Sequence, residues 1–213
     1  MNYIISILPS LLSGAQMTLL LFFWTIIISI PLGIIVSIGL LSPFKLLRLF
    51  LKFYVWIMRG TPLLLQLIFI FYGLPIIGII FQRYDAALFA LIINYSAYFA
   101  EIFRGGFQSV PTGQYESARV LQLNSWQTLQ HVIIPQVNKI VIPSIGNEII
   151  NLVKDTSLVY VIGLGELLRA GNVATARDVT LIPLILVGVI YLIMTGLISF
   201  LLKQIEQNYS KWK

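Results

Sequence analysis

The chain has no cysteine, a single histidine and very little charge: 14 basic and 8 acidic side chains in 213 residues, 10% in all. The missing cysteines exclude disulfides, thiol nucleophiles, thiolate metal sites and S-acylation. With His131 alone, a histidine metal cluster is excluded as well. Disorder is excluded too, because disordered segments are polar and charge-rich. What is abundant is apolar surface, at 58% hydrophobic residues and a mean hydropathy of +0.92. Soluble domains average about 45–50% apolar and about 25% charged. A soluble chain of this length leaves roughly 30% of its surface in water and could not hide so much oil. The net charge of +6 does not point to nucleic acid, because the basic residues are scattered through apolar sequence rather than gathered on one polar face. The solvent is lipid.

At about 20 residues per spanning helix, the length allows five or six crossings with short connections and leaves no room for a separate soluble domain. Met1–Phe44 carries no charge. It lacks the basic n-region and small-residue cleavage site of a signal peptide, and its apolar run is too long for one. Spans are expected at about 16–41, 53–81, 86–104, 132–155 and 180–203, all within one domain covering 1–213. Pro31 and Gly33 predict a kink or a close helix contact in the first. The longest polar stretch, 105–131, and a second polar connection, Gly163–Asp178, fall between spans. The expected fold is an all-α polytopic membrane protein of about five transmembrane helices.

Basic residues set orientation. Lys45, Arg48, Lys52, Arg59, Arg104, Arg119, Lys139, Lys203, Lys211 and Lys213 fall on one side, against Arg83, Lys154, Arg169 and Arg177 on the other. The N-terminus is therefore expected outside and the C-terminus in the cytoplasm. Tyr54, Trp56, Tyr84 and Tyr209 lie near span ends, where aromatic belts form. One such chain makes a small bundle, so a dimer is the natural way to build a pathway between subunits.

Polar residues inside the apolar segments carry the chemistry. Asn94, Tyr98 and Glu101 recur at i, i+4, i+7 and share a helical face, extended by the small residues Ala90 and Gly105. Ser144, Glu148, Asn151 and Asp155 repeat the pattern in the next long span, with Asn147 and Lys154 alongside. A charge at mid-bilayer costs at least about 2.5 kcal/mol, so it faces protein or a hydrated path. Two such stripes imply a cavity or an internal polar network. A structural reading stands beside this: Glu101 pairing with Arg104 at the inner end, Lys154 and Asp155 marking the outer end.

In the stretch Thr112–Asn124, Thr112 after Pro111 is the expected N-cap, and Glu116 lies near the positive end of that helix. Asn124-Ser125 reads as a break before a second short helix, Trp126–Ile133. Two angled helices presenting Tyr115 and Leu123 would suit a partner's grip, or a membrane surface.

This segment resembles the EAA loop of ABC-importer permeases, and the resemblance extends along most of the chain. Arg59-Gly60-Thr61-Pro62-Leu63-Leu64-Leu65-Gln66 is similar to the RGTPLLxQ stretch of the polar amino acid branch. Tyr98–Gly106 is similar to its YxAExxRGG stretch, Ser109–Glu116 to SVPxGQxE, and Lys154-Asp155-Thr156-Ser157-Leu158 to KDTSL. The blocks occur in the family's order over about 16–203. Two departures stand out: EAA is Glu116-Ser117-Ala118 here, and the glycine expected four residues further on is Gln122, which leaves the sharpness of the bend open.

The resemblance implies a multi-pass subunit of a bacterial inner (plasma) membrane importer. It would work with a second permease subunit (a copy or a related chain), two cytoplasmic ATPase subunits and an extracytoplasmic amino-acid-binding protein. Gln114, Tyr115, Glu116, Ser117, Ala118, Arg119, Leu121, Gln122, Leu123 and Asn124 would form the ATPase-coupling surface. The block at Arg59–Pro62 would stabilise transmembrane packing. No G-x-x-x-x-G-K-[ST] segment is present, so the chain is not itself the ATPase; it would bind no cofactor, with ATP and magnesium held by the partner. Asn94, Tyr98, Glu101, Asn147, Glu148, Asn151, Lys154, Asp155, Thr156 and Ser157 are the expected substrate path. Their acidic excess favours a cationic amino acid (arginine, lysine or histidine), with glutamine next. The competing reading is an ion- or proton-coupled carrier that needs no ATPase.

Overall fold

The computed structural model describes residues 2–210, most of them helical and none in a strand. The first helix, α1, is Asn2–Leu41 and continues through both Pro9 and Pro31. Its 40 residues reach about 60 Å, well beyond one hydrocarbon core. It starts earlier than the span expected at 16 because Ile7, Leu11 and Ala15, at four-residue spacing, are buried in the core.

The span expected at 53–81 is two helices. One, α2, is Lys45–Gly60; the other, α3, is Leu63–Ile68 and runs on through a π turn, Phe69–Gly73, and a 3-10 turn, Leu74–Ile77. The two meet at 106°. Proline 62 causes the break: it has no amide hydrogen to donate and pushes Thr61 into extended backbone, at φ −119° and ψ 148°.

Next come α4 (Arg83–Gln108), α5 (Thr112–Val120) and α6 (Ser125–Thr128). A π turn, Leu129–Ile133, joins α6 to α7 (Ile134–Asp155), which ends in a 3-10 segment, Thr156–Ile162. Last are α8 (Leu167–Asp178) and α9 (Ile182–Ser210). Among the described residues α1, α4 and α9 are long and apolar enough to cross a membrane, and the bent α2–α3 pair is a further candidate. With 22 residues α7 has the length, but its polar stripe lowers its apolarity.

The bundle is organised around α4. A row of small residues on α1, Thr25, Ser29, Gly33 and Ser37, recurs every four positions and lets the backbones approach. A Cβ on Gly33 would sit 2.6 Å from the Phe99 Cβ and 3.1 Å from the Ala100 nitrogen, so only glycine fits. On the expected α4 face Ala90 is fully buried, but Gly105 faces open space; its neighbour Gly106 is the one pressed against Val141 of α7. Exposed Phe23, Ile27, Ile35 and Ile38 on α1, and Ile185, Leu192, Leu197 and Phe200 on α9, coat the outside. That exterior suits acyl chains rather than water.

The connection at Gly163–Asp178 is more than a polar loop. Its Glu166 is fully buried and caps α8, accepting hydrogen bonds from the amides of Leu168 (2.6 Å) and Arg169 (2.7 Å) and from the Tyr191 hydroxyl (3.1 Å). At the same end Tyr3 donates to Asp178 (2.7 Å) and Arg83 to the Ile162 carbonyl (3.1 Å). Arg83, Arg169 and Arg177, grouped on one side in the sequence, thus lie at one end of the bundle.

Candidate functional site

The break at Pro62 opens a cavity of about 420 Å³ between the start of α3, the middle of α4 and the C-terminal half of α7. Thr61, Pro62, Leu63, Asn94, Tyr95, Tyr98, Glu148, Asn151, Asp155 and Leu158 line it. The break itself is pinned by an amide network. Gln66 Nε2 donates to the Met58 carbonyl (3.0 Å) and to Thr61 Oγ1 (2.8 Å). Asn94 Nδ2 donates to the same Met58 carbonyl (3.0 Å) and to Gln66 Oε1 (2.9 Å). These bonds satisfy carbonyls that the interrupted helix leaves open.

Across the cavity Tyr95, buried in α4, donates its hydroxyl to Asp155 Oδ2 at 2.7 Å. Asp155 and Glu148, seven residues apart on α7, both line the space. Neither belongs to an ion pair; among the described residues those involve Glu101 and Asp178 only. No lysine or arginine lines the cavity. Two carboxylates without a resident cation make the site complementary to a positively charged group.

Of the ten residues expected on the path, Asn94, Tyr98, Glu148, Asn151 and Asp155 are brought together here. Glu101 is not. It lies on the far side of Tyr98, gripped by both the Nε and a terminal nitrogen of Arg104, with Arg59 at 3.8 Å, as the local-pair reading had it. Asn147 and Lys154 are exposed and do not line the cavity. Thr156 is buried, its hydroxyl donating to the Val153 carbonyl (2.6 Å), and Ser157 is half-buried beside it. Tyr95, Thr61, Pro62 and Gln66 were not on the expected path. Pro62 inside an apolar run was the available signal for the last three; Tyr95 sits one residue off the stripe and had none.

At the opposite end of α4, the segment expected to couple to a partner forms two short helices at an angle. Thr112 is the first helical residue rather than the cap; Pro111 holds the cap position and no side chain caps the helix. α5 ends in a Schellman turn, with Gln122 N–H bonding to the Arg119 carbonyl (2.9 Å) and Leu123 N–H to the Ala118 carbonyl (3.0 Å). Gln122 occupies the left-handed position at φ 58°, so the sharp bend is made without glycine. Asn124 then caps α6 with a reciprocal box: it accepts from the Gln127 amide (2.8 Å), and its own amide donates to the Gln127 side chain (3.0 Å). Tyr115, Arg119, Leu123, Ser125, Thr128, Leu129 and Ile133 line a groove of about 350 Å³ between the two helices. Glu116 and Ser117 are exposed, Leu121 and Trp126 stand proud of the surface, and Ala118 is buried. Gln114 is tied to α7 by Gln136, whose Nε2 donates to its Oε1 at 3.1 Å. Beneath them Val110, Ile133, Val137 and Val141 form a small core that joins the end of α4 and the π turn to α7, and α6 runs directly into that turn.

Residues 29–211 match the family described as the binding-protein-dependent transport system inner membrane component. The arginine transport system permease protein ArtQ of Bacillus subtilis is 35% identical over 203 residues, covering 94% of this chain and 93% of its own. A putative glutamine transport system permease protein, GlnP of Rickettsia conorii, is 33% identical over 212 residues, covering 97% of each. Among solved structures, an amino acid ABC transporter crystallised with histidines superposes with a TM-score of 0.90 at 36% identity, covering 97% of both chains. An inward-facing MetNI methionine transporter shares the fold, with a TM-score of 0.73 at 20% identity over 98% of this chain and 99% of the other.

Proposed function

The chain belongs to the binding-protein-dependent transport system inner membrane components, the permease subunits of amino acid ABC transporters, and from that membership we propose that it carries a cationic amino acid into the cytoplasm. The observation that carries the choice of substrate is the pair of carboxylates, Glu148 and Asp155, in a cavity with no basic lining. A cationic amino acid brings two positive groups and one carboxylate. The two acids match the positive groups, and Tyr98 and Asn151 can donate to the carboxylate. Glutamine ranks next, because it keeps the ammonium and loses only one of the two charges.

The exposed turn around Glu116 is the surface we assign to the ATPase partner, with ATP and magnesium held there and no cofactor on this chain. A second permease subunit and an extracytoplasmic binding protein complete the assembly. In this reading α5 and α6 lie on the cytoplasmic side and the Tyr3–Asp178 end lies outside. Closure of the ATPases pulls on α5 and α6, and the π turn that runs from α6 into α7, with the Gln136–Gln114 bond from α5, carries that pull towards Glu148 and Asp155. The test is uptake in proteoliposomes holding the permease, its ATPase and its binding protein. Uptake of arginine, lysine or histidine that follows ATP, ignores ionophores and is abolished by Glu116→Lys is expected. Uptake that ignores ATP and collapses with an ionophore would instead establish an ion-coupled carrier.

A further inference from the structure

The helix α2 has three faces. Leu51, Tyr54, Val55 and Met58 pack on α1 and α4. Lys45, Arg48, Lys52 and Arg59, at i, i+3, i+7 and i+14, form a basic arc, and α2 contains no acidic residue. Leu46, Leu49, Phe50, Phe53 and Trp56 form an apolar arc, each more than half exposed. A helix that is basic on one side and rich in Leu, Phe and Trp on the next lies in the plane of a bilayer surface rather than across it.

Its placement agrees. The α3 segment runs alongside the outer half of α4, from Gln66 on Asn94 to Phe81 stacked on Phe89, and α2 stands at 106° to it. The tyrosine of α2 donates to the Ile93 carbonyl (2.5 Å), while Arg59, more than a turn further on, reaches Glu101. So α2 lies obliquely over α4, with Met58 at the midpoint of α4 and Lys52 beside Glu101 and Arg104, towards the exposed turn.

Between α2 and the end of α4 lies a cavity of about 520 Å³ that is separate from the carboxylate site and shares only the Tyr98 wall with it. Lys52, Arg59 and Arg104 face it, together with Trp56 and Gly60. Glu101 is the one acid there, and it is occupied by Arg104; the Arg59 guanidinium also stacks over the Tyr98 ring at 5.3 Å. Three cations against one carboxylate leave an excess of positive charge. Lys45, Arg48 and Lys52 make no ion pair among the described residues.

We propose that α2 lies in the headgroup layer of the bilayer and that this cavity holds the phosphate of an anionic phospholipid. Its acyl chains lie along Leu49, Phe50 and Phe53. Charge complementarity selects the lipid: an apolar face alone would accept any acyl chain or a second protein surface, but the basic arc beside it requires a negative headgroup.

Trp56 reports on it. In the permease–ATPase complex, Trp24, Trp126 and Trp212 are changed to Phe, and the complex is placed in phosphatidylcholine nanodiscs containing brominated phosphatidylglycerol or, separately, brominated phosphatidylcholine. Brominated phosphatidylglycerol is expected to quench Trp56 at much lower content. Arg48→Gln and Lys52→Gln each cut that preference about fivefold, whereas Lys203→Gln, on α9, leaves it unchanged. Equal quenching by the two lipids would overturn the proposal. So would no quenching by either, which would mean that another protein surface covers the face. Native mass spectrometry of the unmodified complex gives the same answer without the tryptophan changes: phosphatidylglycerol is retained over phosphatidylcholine, and the preference falls in Lys52→Gln.

Discussion

The hydroxyl of Tyr95 on α4 donates to Asp155 on α7 at 2.7 Å and ties the two helices across the carboxylate cavity. It fixes one oxygen of Asp155, which lines that cavity. Tyr95→Phe keeps the ring in its packing and removes only that bond. A hydrogen bond to a charged group contributes about 1.5–3 kcal/mol. Half-saturating substrate concentration in ATP-driven uptake is therefore expected to rise tenfold or more, with the complex still assembled.

Backbone conformation gives a second test, at Gln122 and Val179. Both adopt positive φ, 58° and 50°, where side chains with a Cβ are strained. Replacing either by glycine is expected to raise the thermal unfolding temperature of the complex, by a gain on the order of 1 kcal/mol. Val179 gains more, because its β-branched side chain is the poorer fit and 90% of it is exposed with no packing to lose.

Two glycines should respond in opposite directions to the same change. Gly33→Ala puts a methyl 2.6 Å from Phe99 in the α1–α4 contact and is expected to cost about 1–3 kcal/mol. Gly105→Ala meets nothing within 4 Å and is helical, so it is expected to gain about 0.5–1 kcal/mol. Thermal unfolding of the two variants in one detergent separates them.

Acid sensitivity at the Tyr3 end follows from Asp178. The hydrogen bond from Arg177, joined by that from Tyr3, lowers its carboxyl from 3.8 to about 2. A folded-state value below the unfolded one stabilises the ionised form. Its contribution is complete above about pH 4 and is lost as the pH falls towards 2. The stability gap between the parent and Asp178→Asn should be constant near neutrality and close over that interval.

The sequence carried the helical membrane class, the polar stripes and the loop with its two short helices, because each rests on local spacing. It also placed five of the cavity's lining residues. Tertiary packing decided what it missed. The start of α1 was hidden because Ile7 and Leu11 are helical through their burial, not through a distinct local signal. The Pro62 break is written in the sequence, but Gly73 and Pro75 are the interruptions expected in the span at 53–81 instead. The pairing of Glu101 with Arg104, three residues on, was open to a local reading, but the approach of Arg59 from α2 was not. Gln122 shows the converse: the bend survives the loss of the expected glycine because the Schellman bonds and the Asn124 box on either side hold it.

The central claim is that Glu148 and Asp155 recognise the positive groups of a cationic amino acid. The direct measurement is competition uptake in proteoliposomes with the full complex, comparing arginine, lysine, histidine, glutamine and glutamate for the parent, Glu148→Gln and Asp155→Asn. The parent should favour the cationic amino acids. Glu148→Gln should shift the preference towards glutamine, and Asp155→Asn should weaken every substrate at least tenfold through the ammonium group they share. Unchanged affinity and selectivity in both variants would contradict the account.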